Sequence, residues 1–390
     1  MSLPRFAVNP LVAATDAPPI PAAKAWLAEY DGRRGPMIDL SQAVPGTPPP
    51  DEMLIRLGEA ARRADSARYG PILGDGLLRE ALAAETARLY GGSVPVEAVA
   101  ITAGCNQAFV VAMMALARAG EAVILSAPWY FNHKMILDML GIEARILPVR
   151  ADSGFIPDPD EAAALIDART RAIVLVTPNN PTGAVIPPAT VDRFAELAAS
   201  RGLALVLDET YRDFLPEGQA RAHHLFAGDW GATLVQLYSF SKAHAVPGHR
   251  LGSVVAAPGL IREIEKILDC LQICPARAAQ PVIAWAVEAL RPWREAQRQE
   301  LARRARLAAA ELAQAPGWRL DSIGAYFAYV AHPFGPDATA AARRLALEGG
   351  VLGLPASYFG PGQETHLRLA FANVDAGVLV GLAARLSSLA

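Results

Sequence analysis

Reactive side chains recur in this chain directly after short apolar runs. Gly104 and Cys105 follow the run 99–101, and Trp129 and Tyr130 follow 122–125. Asn180 follows 172–176, and Asp208 and Tyr211 follow 204–207. Ser239, Ser241 and Lys242 follow 233–237. Together they offer an anion cradle, an aromatic face, an amide, a carboxylate, a phenol, hydroxyls and an amine. A lysine becomes a nucleophile and base once its charge is lost, by desolvation or by forming an imine. Alone in a loop, a lysine reads as a surface ammonium. Lys242 stands in SFSK after an apolar strand, and that setting points to a reactive amine. Asp208 closes LALVLD, so it is expected to be buried at a strand end, where an unpaired carboxylate is costly.

The elements that must position these groups follow from periodicity. Strands are expected at 99–101, 122–125, 144–147, 172–176, 204–207, 233–237 and 252–256. Helices are expected at 51–63, 76–90, 106–118, 130–140 and 188–200. Short apolar strands alternating with longer helices specify an α/β sheet covered on both faces. Ligands of such sheets bind at the carboxyl ends of strands, where the reactive residues lie. Beyond 259 the pattern is helical to 312, with Pro275, Pro281 and Pro292 as breaks. Strands near 318–320, 325–331 and 366–371 then alternate with helices, as in a smaller α+β domain. The expected division is an N-terminal arm and part of a small domain at 1–50, a large domain at 51–285 and a C-terminal small domain at 286–390. The arm is rich in Ala and Pro, with a helix expected near 22–30.

Of the 390 residues, 52% are hydrophobic and 19% charged, which suffices for a large core and argues against disorder. A net charge of −3 without basic runs argues against nucleic acid. The N-terminus lacks the charged start and apolar run of a signal peptide. No apolar run approaches the ~18 residues that span a bilayer. A soluble, cytoplasmic protein is expected, with no membrane partner. Cys105, Cys270 and Cys274 make neither a disulfide framework nor a metal site, and Cys270 and Cys274 read as buried core thiols.

The motifs YGPILGDGLLREALA, TAGCNQA, APWYF, TPNNPTG, LDETYRDF, SFSKAHAVPGHRLG and HLRLAFA resemble those of the pyridoxal-phosphate-dependent aminotransferases of fold type I, class I/II, the aspartate aminotransferase-like enzymes. They keep the family's order from Tyr69 to Phe371. NPTG alone is a weak signal. NPTG, then DE-x-Y, then S-x-SK with an arginine eight residues after the lysine is specific. The resemblance implies a large domain with a mostly parallel seven-stranded sheet between helices, plus a smaller α+β domain. It also implies pyridoxal 5'-phosphate as cofactor.

By the same resemblance, Lys242 forms the Schiff base with the cofactor aldehyde and later serves as acid and base. Asp208 pairs with the pyridine nitrogen. Asn180 and Tyr211 donate to the phenolic oxygen. The backbone of Ala103, Gly104 and Cys105 at a helix start, with Ser239, Ser241 and Arg250, cups the phosphate. Cys105 departs from the family, which often carries Ser, Thr or Lys there. Tyr130 stacks on the ring, with Trp129 as runner-up. Tyr69 reaches across a homodimer interface to the neighbouring phosphate. Arg368 grips the substrate α-carboxylate, and Asn180 and Ala43 adjoin the substrate. Glu209 reads as a structural neighbour.

The implied activity is ping-pong transfer of an amino group from an L-amino acid to a 2-oxo acid, without metal. The alternative is a lyase or amino-acid oxidase on the same scaffold. A regulator with an aminotransferase-like domain would carry a DNA-binding module, and the first 50 residues are neither basic nor helix-turn-helix-like. The substrate side chain is not specified. Gln42, Ala43 and Val44 fall where such enzymes line the pocket, and Ala43 replaces the family's frequent glycine. Lys134, His133 and Arg150 are candidate second cations for a dicarboxylate. His244 and His249 read either as helix-terminal polar residues or as substrate contacts.

Overall fold

Val, Ile, Leu and Ala fill the strand segments and leave few positions exposed, the composition of a sheet covered on both faces. A computed structural model describes residues 6–389. Seven strands form its large sheet: β1 (Val99–Thr102), β2 (Ala122–Ala127), β3 (Glu143–Pro148), β4 (Thr170–Val176), β5 (Ala204–Asp208), β6 (Leu234–Ser239) and β7 (Gly252–Val255). Their order across the sheet is β1-β7-β6-β5-β4-β2-β3. The pairs from β6 through to β3 are parallel, and β7 is antiparallel to both β6 and β1. The strand expectations hold to within two residues at each end.

Successive side chains of a strand leave opposite faces, so each strand feeds two cores. Ile173 and Leu205 join Leu82 and Ile283 on one face. Val174 and Val206 join Phe109 and Ile264 on the other. Helices Gly76–Tyr90, Cys105–Leu116, Phe131–Leu140 and Pro188–Arg201 cover the sheet as the periodicity requires.

The stretch after 258 divides into helices Pro258–Gln272, Gln280–Ala289 and Arg291–Ala313. Pro281 and Pro292 stand in first turns, where no N–H is needed. The expectation for Cys270 is corrected: it is exposed, and Cys274 is only half-buried. The buried stripe of helix Pro258–Gln272 is Ile261, Ile264 and Leu268; Cys270 lies off it and Cys274 beyond its end. Cys274 instead accepts a hydrogen bond from the Gly70 N–H at 3.3 Å through its Sγ.

A second sheet holds β8 (Arg319–Gly324), β9 (Phe327–Ala331), β10 (Leu354–Pro355) and β11 (His366–Leu369), antiparallel in the order β10-β11-β9-β8. Ile38–Asp39 pairs in parallel with Val351–Leu352, which ties the N-terminal segment to this part of the chain. Trp26 and Leu40 share a core with Leu301, Phe327 and Leu367. The arm's helical segment is Pro19–Lys24 followed by a tighter turn at Ala25–Ala28.

Two of the contacts between the halves are an ion-pair bridge and a close backbone approach. Arg294, on the long helix, bridges Glu85 at 2.8 Å and Asp213 at 2.7 Å, all largely buried. Gly183 of TPNNPTG lies against Gly324 at the end of β8, and a Cβ on Gly183 would stand 2.5 Å from the Gly324 nitrogen. Gly183 also has φ +75°, a conformation that side chains disfavour. Gly183→Ala is expected to destabilise the protein by about 2 kcal/mol in denaturant unfolding. An unchanged midpoint would contradict the close approach.

Candidate functional site

The carboxyl ends of the parallel strands and the N-terminal segment enclose one cavity of about 320 Å³. Lys242 enters it from the helical turn Phe240–Ala243, directly after β6. Ser239 caps that turn by accepting from the Ser241 N–H at 3.3 Å. The Lys242 amine donates to the Ala43 carbonyl. Burial first, then the Arg250 and Arg368 guanidinium groups, push its pKa down to about 8. The ammonium is thereby made easier to discharge than an ordinary lysine.

Asp208 ends β5 and is 4% exposed. His133 Nε2 lies 3.1 Å from one carboxylate oxygen, and the Thr210 N–H donates to the other at 2.9 Å. Burial alone would raise the carboxyl pKa, but the His133 and Thr210 contacts outweigh it and hold Asp208 below its ordinary value. His133 is itself fixed by stacking on Phe109 at 4.0 Å. It follows Tyr130 by one helical turn, the spacing that could have linked it to the site in the sequence.

Arg368 lies in β11 and is 1% exposed. It donates to Asn180 Oδ1 at 3.1 Å and to the Ser41 carbonyl, while its Nε has no partner. Phe327 and Phe359 rings stand 5.1 and 5.0 Å from the guanidinium. No carboxylate among the described residues pairs with it. Burial pulls its pKa down to about 10, which leaves it a cation at neutral pH. A buried, unpaired guanidinium is matched by a carboxylate ligand that can take two of its N–H groups.

A second anion-binding corner forms around Arg250, which has φ +52° after β6 and its turn. A Cβ on Gly104 would stand 2.2 Å from Arg250 Nη2, and one on Gly252 would stand 2.6 Å from the Gly104 carbonyl carbon. Glycine at both positions therefore lets the guanidinium lie on the loop. Ala103 donates its N–H to Gln107 Oε1 at 2.6 Å, and Gly104 donates to the Thr102 carbonyl at 2.8 Å. Those two N–H groups are thus engaged within the loop. The N–H groups of Cys105 and Asn106 open the helix and have no backbone partner among the described residues. The buried Ser241 hydroxyl also lacks a partner. These donors and the helix dipole favour an anion.

Of the residues singled out in the sequence, Ala43, Cys105, Tyr130, Asn180, Asp208, Tyr211, Ser239, Ser241, Lys242, Arg250 and Arg368 all line the cavity. Ala103 and Gly104 sit behind it and shape it through Arg250. Trp129 does not line it; its N–H bonds the Phe359 carbonyl at 2.8 Å. Tyr69 is 78% exposed and lies outside the cavity. Lys134 pairs with Asp138 at 2.5 Å and Arg150 with Glu161 at 3.0 Å, so neither faces the cavity as a free cation. Glu209 is buried beside Tyr90, Gln236 and His223. His244 is buried and His249 exposed, and neither lines the cavity. Ile20, Asn106, Phe131 and Thr210 join the lining without having been singled out. Asn106 and Thr210 adjoin residues that were.

The arrangement can hold a group with two anionic ends and a cationic ring atom, beside an amine that can exchange a proton. The family profile "Aminotransferase class I and II" matches residues 35–386. The arginine–pyruvate transaminase of Pseudomonas aeruginosa is 34% identical over 308 residues, 78% of each chain. The aspartate/prephenate aminotransferase of Thermus thermophilus is 32% identical over 327 residues, 81% of this chain and 83% of that one. The structure of Thermus thermophilus aspartate aminotransferase with maleate superposes with a TM-score of 0.89 at 28% identity, covering 99% of this chain and 100% of that one.

In protein free of small molecules, reductive methylation of Lys242 should rise with a midpoint near pH 8, read by peptide mass spectrometry. A midpoint at the ordinary lysine value of 10.5 would contradict the effect of burial and of the two guanidinium groups.

Proposed function

We infer the roles of the cavity residues from one premise: the chain belongs to the class I and II aminotransferases, which move amino groups with pyridoxal 5'-phosphate. The observation that carries the assignment is a buried Arg368 without a carboxylate partner, in the same cavity as a lysine of depressed pKa. The residues fit the cofactor. Arg250, Ser239, Ser241 and the N–H groups of Cys105 and Asn106 would hold its phosphate. Asp208 would face its ring nitrogen, and Asn180 and Tyr211 its phenolic oxygen. Asn180 keeps its Nδ2 free because only its Oδ1 is engaged by Arg368. Tyr130 would flank the ring.

When bound, the cofactor accepts the amino group and draws off the electrons released as the Cα–H bond breaks. The protein supplies the rest. Arg368 holds the substrate α-carboxylate through two N–H groups and so fixes the direction of the Cα–H bond. Lys242 Nζ would take the proton from Cα of the amino acid, and in the return half-reaction would give one to Cα of the 2-oxo acid. Its low pKa makes the neutral amine accessible near pH 8. Asp208 remains ionised under His133 and Thr210, and so keeps a negative charge facing a cationic ring atom. Without cofactor, the carbonyl of Ala43 holds the Lys242 amine at the cavity wall.

The working unit of this reading is a homodimer. Tyr69, Leu77, Leu271 and Ile273 are large and exposed, and the Tyr69 loop is tied to Cys274 through Gly70. Such a face is suited to a second copy that receives Tyr69 at its phosphate corner. The unpaired thiols of Cys105, Cys270 and Cys274 suit a reducing compartment, and the reading places the enzyme in the cytoplasm, in amino-acid metabolism. No helix among the described residues is long and apolar enough to cross a membrane.

The test is a half-reaction. The holoenzyme is mixed with single amino acids without oxo acid, and the cofactor absorption is followed. Conversion that a 2-oxo acid reverses supports amino transfer, whereas ammonia release with the spectrum restored would assign a lyase. Arg368→Ala should lower kcat/KM about 100-fold, and an unaltered value would place the carboxylate elsewhere. Tyr69→Phe should weaken cofactor retention about tenfold while sedimentation still shows a dimer. Unchanged retention would remove Tyr69 from the partner site.

A further inference from the structure

Once the residues that face cofactor and α-carboxylate are set aside, together with Thr210 beside Asp208, the cavity lining leaves Ile20, Gln42, Val44, Phe131, Val176 and Pro247. Gln42 is the one side chain among these that can form a hydrogen bond. Its Oε1 accepts from Lys24 Nζ at 2.8 Å. An ammonium offers only donors, so the pair fixes which end of the amide is oxygen. Gln42 Nε2 then stands free, without a partner among the described residues, on a side chain that lines the cavity.

Lys24 is unusual in its company. The chain has four lysines: Lys24, Lys134, Lys242 and Lys266. Lys134 pairs with Asp138 and Lys266 with Glu263, while Lys242 is the reactive amine. Lys24 is part-buried, and its bond to neutral Gln42 brings no counter-charge. A cation on the oxygen of an amide polarises the amide N–H groups and makes them stronger donors to an anion. The lining holds no carboxylate except Asp208, which His133 and Thr210 already engage. A cationic side chain would therefore meet no partner in this cavity.

We propose that Lys24 and Gln42 read the substrate side chain and select one that ends in a carboxylate, so that the enzyme acts on dicarboxylic amino acids and their oxo acids. Arg368 takes the α-carboxylate and the Lys24–Gln42 pair takes the second. This rests on the assignment of Arg368 and Lys242 above. Lys24 ends the arm helix Pro19–Lys24, and Gln42 follows the short strand Ile38–Asp39. Specificity is thereby set by the N-terminal segment that pairs with Val351–Leu352.

The experiment compares half-reaction kcat/KM for L-glutamate and L-norvaline, which differ in the terminal carboxylate. It is run on the holoenzyme and on Lys24→Met, Lys24→Arg and Gln42→Leu. The expected glutamate preference is at least about tenfold, falling about tenfold in Lys24→Met and in Gln42→Leu and retained in Lys24→Arg. Calorimetry with glutarate and pentanoate gives a second readout without turnover. Glutarate should bind the holoenzyme more tightly, and Lys24→Met should remove the difference. Equal rates for the two amino acids in the natural protein, or a preference untouched by Lys24→Met, would overturn the proposal. If neither these nor L-alanine converts the cofactor, the assignment of Arg368 and Lys242 fails, and this inference fails with it.

Discussion

Three cations, Lys242, Arg250 and Arg368, converge on a cavity that holds a single carboxylate, and that carboxylate is already engaged by His133. This imbalance governs the rest of the site. Like charges held close in a poorly solvated space disfavour one another, and the group best able to yield is the lysine. Its pKa falls, while Arg368 stays charged and awaits an anion. The arrangement is costly in the absence of ligands, and it persists because each cation comes from a different rigid element. Lys242 follows a central strand, Arg250 sits between two strands and Arg368 lies within the second sheet.

The parts of this architecture that obey local rules could be read in the sequence. The alternation of apolar runs and helices located the large sheet, and the polar residues at strand ends located the cavity. Asp208, Asn180 and Lys242 were legible because each follows directly on a buried strand. Arg368 was legible by resemblance to HLRLAFA motifs and not by pattern, since an arginine in a strand more often faces water. The two-residue strand Leu354–Pro355 was not legible, because two residues carry no period and one is a proline.

What the sequence concealed was which groups are already engaged and which faces turn inward. Ala103 and Gly104 looked like anion donors, yet their N–H groups close the loop on itself and the next residues face the cavity. Cys270 and Cys274 looked apolar enough to be buried, but the helix carrying Cys270 turns its stripe of Ile261, Ile264 and Leu268 inward instead, and Cys274 lies past the helix end. His133 was one of several cations with no place until the helix after Tyr130 set it on Asp208. Lys24 and Gln42 are 18 residues apart and meet only because the arm folds back beside the second sheet.

The bridge from Arg294 to Glu85 and Asp213 joins the long helix to the body that carries the lysine. Its charges lie largely out of water, so dissolved ions screen it weakly. Acid acts on it differently. Burial would raise the Glu85 carboxyl, yet Arg88, Arg294 and Arg291 hold its pKa down to about 2, below the ordinary 4.5. A carboxyl depressed by folding contributes stability above its unfolded pKa and loses it as the pH falls through the folded value. Asp213 is depressed in the same sense. The seam between the two halves therefore resists brine and gives up its stabilisation only in strong acid, as the pH falls from about 4.5 toward 2.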